Sequence, residues 1–273
     1  MEYFKGKRIY ITGGSSGIGL DAATRLASMG SHVAIFARNV EKLEAARNMI
    51  EQAAASQEQS VYALSMDVTD NSDVEVKCGQ AVSEFGPPDI LINSAGIGYA
   101  NYFEEISFDT FDSVIRTNLY GIRNVAAALV PHMKQRGGHI VNVSSMLGLI
   151  GLFGYSPYSS SKFAVVGFSE CLRMDLKRYG IRVSVFCPPE VDTPMTDYMM
   201  EISPPETRAL VKMNGVISSG KAADALIKGI ARKKFLILSD PVSKLSYLGK
   251  RFFPWQTRVV LDTVAGIAAR LNR

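Results

Sequence analysis

The chain has 273 residues, 47% hydrophobic and 21% charged, with a formal net charge of +4. That apolar content fills a large core and excludes a disordered or fibrous chain, and a single open α/β domain of this length is ordinary. Three scattered cysteines (Cys78, Cys171, Cys187) without CxxC spacing suggest buried thiols in a reducing compartment, not a disulfide frame, and His32, His132 and His139 form no ligand cluster, so no metal is expected.

In chain order, Met1 to Lys7 is expected to lead directly into a first strand, with no signal peptide expected. Short β-branched runs predict strands over 7–12, 32–36, 61–66, 89–93, 138–143, 181–187 and 234–238. Longer periodic stretches predict helices over 17–29, 40–54, 70–85, 107–134, 157–179 and 219–232. Continuous apolar strands alternating with helices predict a doubly wound parallel sheet, a Rossmann-type three-layer α/β/α domain. No repeat, low-complexity tract or linker splits it. The longest uncharged span, Ile140 to Ser161, is rich in serine and reads as strand and loop, not as a membrane span.

The first strand runs into Gly13-Gly14-Ser15-Ser16-Gly17-Ile18-Gly19 and then a helix. Strand, glycine turn and helix is the order a dinucleotide pyrophosphate needs. Gly13 permits the turn, Gly17 lets backbone approach the phosphates, and Gly19 lets helix pack on strand. Ser15 and Ser16 add hydroxyl donors beside them.

A second constellation lies downstream. Tyr158 and Lys162 are four apart and share one helix face, with Ser145 thirteen residues before the tyrosine. An ammonium beside a phenol is expected to pull its pKa down towards neutrality and make it a proton donor and acceptor. Tyr155 lacks such a partner, since Ser159 stands four residues on. Taken alone, Tyr-x-x-x-Lys is a weak signal.

Together, Thr12-Gly13-x-x-x-Gly17-x-Gly19 and Tyr158-x-x-x-Lys162 resemble the short-chain dehydrogenase/reductase family over residues 5–240. Asn93-Ser94-Ala95-Gly96, Asn118 within Thr117–Gly121, Asn142-Val143-Ser144-Ser145 and the Pro188 loop ending at Thr193 extend the likeness. The resemblance implies a dinucleotide site at Thr12, Gly13, Ser15, Ser16, Gly17, Ile18, Gly19, Asn93, Ala95, Gly96, Pro188, Val191 and Thr193. Asp67 and Val68 are expected to flank the adenine. It implies that Ser145 holds a ketone oxygen, Tyr158 protonates it, and Lys162 depresses the Tyr158 pKa and holds the nicotinamide ribose. Asn118 would break its helix and anchor a relay water; Asn142 and Ser144 would support the turn.

Cofactor choice follows from charge. The acid that would bind a ribose 2′-hydroxyl at the end of strand two is absent from Ile35-Phe36-Ala37-Arg38-Asn39. Arg38 and Lys42 stand there instead, which favours the 2′-phosphate of NADPH/NADP over two merely solvated cations.

The Cys187-Pro188-Pro189-Glu190-Val191-Asp192-Thr193-Pro194 loop, the Ala37-Arg38-Asn39 run and Glu206-Thr207-Arg208 look like 3-ketodihydrosphingosine reductases, which implies a lipid-like ketone in sphingolipid synthesis. Those of eukaryotes carry an N-terminal hydrophobic span, and none is expected from Met1 to Lys7 here. A 3-oxoacyl thioester or hydroxysteroid reductase is the alternative, and a silent dinucleotide sensor the alternative of another class. Glu190 is a candidate for the substrate ammonium, against a reading as a solvated loop acid. Beyond the catalytic domain (1–240), residues 241–273 carry six basic residues and one acid interleaved with Leu245, Tyr247, Leu248, Phe252, Phe253 and Trp255, then a helical run. This extension suits an anionic membrane surface on the cytoplasmic side, and equally a subunit interface or a flap over the substrate cleft. A homo-oligomer is expected and nucleic acid is not, because the positive charge is confined to the tail.

Overall fold

The structure is a computed structural model that describes residues 2–271. Its parallel sheet is built from β1 (Arg8–Thr12), β2 (His32–Ala37), β3 (Val61–Ser65), β4 (Ile90–Asn93), β5 (Gly138–Val143), β6 (Ile181–Phe186) and a short last strand, Leu236–Ile237. The order across the sheet is β3-β2-β1-β4-β5-β6 and then the Leu236–Ile237 strand, so the winding reverses between β1 and β4. A crevice opens at the carboxyl ends of the strands at such a reversal, which is where ligands bind in this architecture.

Strand side chains alternate between two cores. Ile9 and Ile11 face a layer formed by α1 (Gly17–Ser28), α2 (Val40–Ala53) and the helix Ser219–Ala231, through Leu26, Ile50 and Leu226. Tyr10 faces the other layer, formed by α3 (Asn71–Phe85) and the helices after β4, through Cys78, Leu129 and Met133. Ile11 is wholly buried, so truncating it to alanine should cost about 2–5 kcal/mol. Helices start where a polar side chain satisfies free amides. Asn39 accepts from the Lys42 amide, and Asp70 from those of Ser72 and Asp73.

The helix expected over 107–134 is α4 (Phe108–Ile115) and α5 (Gly121–Met133), separated by a π-helical turn, Arg116–Tyr120, that contains Asn118. The next, α6 (Ser156–Leu176), carries Tyr158 and Lys162. Two helices absent from the sequence expectation follow β6: α7 (Pro194–Ile202) and α8 (Pro205–Asn214). Proline opens both, because its fixed φ and missing amide are no handicap in a first turn. Before α7, β7 (Val191–Asp192) pairs with β8 (Ile217–Ser218), which leads into α9 (Ser219–Ala231). The Leu236–Ile237 strand is β9, and the tail forms α10 (Pro241–Phe252) and α11 (Pro254–Leu271). The last two tail residues lie outside the described range. Among the described residues no helix is long and apolar enough to cross a membrane.

One expectation about the thiols needs correction. Cys78 and Cys187 are buried, but Cys171 is exposed on α6, because its helix turn faces away from the sheet.

Candidate active site

Three connected hollows cross the carboxyl edge of the sheet. The first, about 250 Å³, is lined by Ser15, Ser16, Arg38, Lys42, Asp67, Val68 and Thr117. It shares Gly13, Ser16, Ala95 and Gly96 with a second of about 150 Å³, which adds Gly17, Ile18, Ser145, Tyr158, Lys162, Pro188, Glu190, Val191 and Thr193. The third is apolar and larger, about 410 Å³, and meets the second at Ser145, Pro189 and Glu190.

The first two hollows fit an extended dinucleotide. Gly13 has φ +68° and lies so close to the β4 loop that a Cβ would sit 2.8 Å from the Ala95 backbone. Only glycine tolerates both conditions, and the turn it makes leaves the start of α1 open to an anion. Arg38 and Lys42 are exposed at the far end, where a phosphate could reach them. The run that ends β2, Ile35-Phe36-Ala37-Arg38-Asn39, holds no acid, and Asp67 is the acid in this hollow.

Three predicted contact residues act indirectly. Thr12 is buried, and its hydroxyl accepts from the Ser94 and Ala95 amides, each 3.2 Å away, so it braces the loop and does not face the groove. Asn93 is also buried, donating to Asn142 Oδ1 at 2.9 Å, while Asn142 donates to Ser169 at 2.9 Å. This chain of amides ties β4, β5 and α6 together behind the groove. Asn118 is fully buried too. Its Oδ1 accepts from the Ile97 amide at 2.8 Å, and its Nδ2 donates to the Ile97 carbonyl and to Ser161. Both amide protons are thus committed, and the side chain clamps the β4 loop to α6.

Ser145, at the end of β5, and Tyr158 meet across the second hollow. Ser144 also lines this hollow, but its hydroxyl is committed to the Lys162 carbonyl, 2.9 Å away. The Lys162 ammonium donates to the Val143 carbonyl at 3.0 Å and lies 5.5 Å from the centre of the Tyr158 ring. Burial lowers its pKa to about 8. The expected lowering of the Tyr158 pKa is reversed. Burial pushes the phenol well above the usual tyrosine range, the Glu190 carboxylate adds to the rise, and hydrogen bonding with Ser145 only partly opposes them. Desolvation of a phenolate outweighs the lysine here because the ammonium is directed at a backbone carbonyl.

A model of the short chain dehydrogenase family matches residues 7–202. The chain belongs to that family. A 3-ketodihydrosphingosine reductase of Bos taurus is 37% identical over 84% of this chain and 70% of its own length. A family member from Burkholderia phymatum, solved with NAD, aligns at TM-score 0.80 and 25% identity, covering 92% of this chain and 96% of that one. Actinorhodin polyketide ketoreductase, solved with NADPH, aligns at TM-score 0.77 and 28% identity over 87% and 97%. The protein is thus an oxidoreductase with a parallel α/β fold, and its groove suits a nicotinamide dinucleotide.

The third hollow went unseen in the sequence. Its walls include Met146, Leu147, Ile150, Tyr155, Val211 and Leu261, drawn from the β5 loop, α6, α8 and α11. Val242 and Ser246 of α10 close another side. Tyr155, the capping residue of α6, packs its ring 6.2 Å from that of Tyr158. Met195 and Met199 of α7 cover the second hollow, and Thr117 the first. The signal available for α7 and α8 was proline at a first helical position.

Proposed function

We propose that the protein uses NADPH to reduce the ketone of 3-ketosphinganine, or a close long-chain relative, to the secondary alcohol. The apolar hollow that opens directly on Ser145 carries this reading. Its volume of about 410 Å³ lies in the range of small-molecule sites, and its mostly aliphatic walls suit an alkyl chain whose polar end stays beside Tyr158. The Bos taurus relative bears the name of that activity.

In this mechanism Ser145 donates a hydrogen bond to the ketone oxygen, where negative charge gathers. Tyr158 gives that oxygen its proton, and its raised pKa keeps the donor protonated through neutral pH. The Lys162 ammonium stabilises the phenolate left behind and holds the nicotinamide ribose. NADPH, when bound, supplies the hydride. Asn118 and Thr12 keep the loops of the groove in register. Arg38 and Lys42 would hold the 2′-phosphate, Asp67 and Val68 would flank the adenine, and backbone around Gly17, Ile18 and Gly96 would hold the phosphates and ribose.

The tail has a second part in the proposal. Leu245, Phe252 and Trp255 are about 70% exposed, beside Lys244, Lys250, Arg251 and Arg258. An apolar face edged with cations fits an anionic bilayer, which favours a peripheral position on the cytoplasmic side and delivers a lipid ketone beside the apolar hollow. A homo-oligomer is the proposed assembly.

The test is NADPH and NADH oxidation across 3-ketosphinganine, a 3-oxoacyl thioester and a ketosteroid. The sphingoid ketone with NADPH should be consumed fastest. Faster turnover of either other ketone would overturn the substrate assignment.

A further inference from the structure

The wall common to the second and third hollows consists of Ser145, Pro189 and Glu190, and Glu190 is its one ionisable side chain. Its backbone is pinned. Pro188 and Pro189 fix the approach, and the Glu190 carbonyl accepts from the Ile217 amide at 3.0 Å where β7 pairs with β8. The backbone that carries the carboxylate is therefore held in place.

Its partners are few. Oε1 accepts from the Thr196 hydroxyl at 3.0 Å, but that hydroxyl also lies 2.6 Å from the Val191 carbonyl and has one proton to give. Among the described residues, Glu190 forms no ion pair and Oε2 has no hydrogen-bond donor. Lys162, the other charge in the second hollow, is bound to the Val143 carbonyl, and Asp240, the other acid lining the third, accepts hydrogen bonds from Ser239 and Ser243. Burial raises the Glu190 pKa, and the carboxylate in turn raises those of Tyr158 and Tyr155, so its field reaches both phenols. A largely buried carboxylate without a cation is costly, and a cationic ligand removes that cost.

We propose that Glu190 is the counter-ion of an ammonium group carried by the substrate on the carbon next to its ketone. This rests on the reading of the protein as a reductase of a long-chain ketone. With the ketone oxygen between Ser145 and Tyr158 and the alkyl chain in the apolar hollow, a 2-amino group must lie within a few ångströms of the wall the two hollows share. That wall is where Glu190 stands. The carboxylate therefore selects amino ketones over neutral ketones of equal length. If it served only to anchor Thr196 at the start of α7, it would show no such preference.

The experiment measures NADPH-linked reduction of 3-ketosphinganine and of the same ketone lacking the 2-amino group, in one detergent, for the wild type, Glu190→Gln and Glu190→Asp. The kcat/KM ratio of amino to neutral ketone should fall about tenfold or more in Glu190→Gln, chiefly through KM, as expected for loss of a charged hydrogen bond. Glu190→Asp should recover part of that ratio. NADPH fluorescence titration of each variant checks that the groove is intact. A ratio unchanged by Glu190→Gln, or a wild type that does not distinguish the two ketones, would overturn the role of Glu190 and leave the reductase reading standing. A wild type that reduces neither ketone would overturn the reductase reading itself.

Discussion

The two ends of the groove are built in different ways. At the nucleotide end, the turn from β1 to α1 takes its shape from residues adjacent in sequence, and Gly13 needs only its neighbours and one loop beside β4. At the substrate end, the apolar hollow is walled by the β5 loop, the Pro189–Glu190 loop, α8, β8, α10 and α11. The first and last residues of that lining, Ser145 and Leu261, are 116 positions apart. The glycine turn is thus a local property of backbone, whereas the apolar hollow is a long-range assembly of side chains. That division lets one scaffold keep its cofactor while its substrates change.

Substitutions at the hinge between the two ends should have the largest effect. Tyr158→Phe should lower turnover by about 10²–10⁴-fold, the range of general acid catalysis, with NADPH affinity nearly intact by fluorescence titration. Lys162→Ala should damage both, because its ammonium serves phenol and ribose together. More than a few per cent residual activity in Tyr158→Phe would remove the tyrosine from the chemistry. The same lysine predicts a pH dependence. Its pKa is lowered to about 8, so the ammonium is present below that pH and lost above it. NADPH affinity should weaken as pH rises through about 8, and the trend should vanish in Lys162→Met.

A smaller effect is expected at the nucleotide end alone. Arg38→Ala should weaken NADPH by about 1.5–3 kcal/mol, the worth of a charged hydrogen bond, and NADH far less. Equal losses would show that the guanidinium does not meet the 2′-phosphate.

The mildest perturbation concerns the outer face of the tail. The double variant Phe252→Asp, Trp255→Asp should lose co-sedimentation with anionic vesicles, and rising salt should release the wild type, since surface charge is screened within about 10 Å at 0.1 M. A variant that still sediments but falls apart into monomers on gel filtration would assign this face to a subunit interface.

Much of the fold was legible. Buried strands such as Arg8–Thr12 and Ile181–Phe186 advertise themselves as apolar runs, and the alternation with helices dictates a parallel sheet. The gathering of Ser145, Tyr158 and Lys162 round one hollow was legible as spacing along one strand end and one helix. Helices α7 and α8 were not, because Pro194, Pro204 and Pro205 read as loop until the chain is seen to start helices on them. Thr12, Asn93 and Asn118 could not be separated from contact residues by type. Each has the polar side chain a ligand would want, and only its neighbours reveal that the hydrogen bonds are already committed.

The sequence by itself determined the sheet, the glycine turn, the Ser145–Tyr158–Lys162 grouping and the basic end of β2, because each depends on backbone conformation or on residues a few positions apart. Tertiary structure decided the rest. The direction of the Tyr158 pKa depends on burial and on Glu190, thirty-two positions away, and neither is visible until the chain is packed. The same holds for the apolar hollow and for the Glu190 carboxylate at its mouth. Desolvation and cavity shape belong to no single segment, since they arise only when distant segments exclude water together.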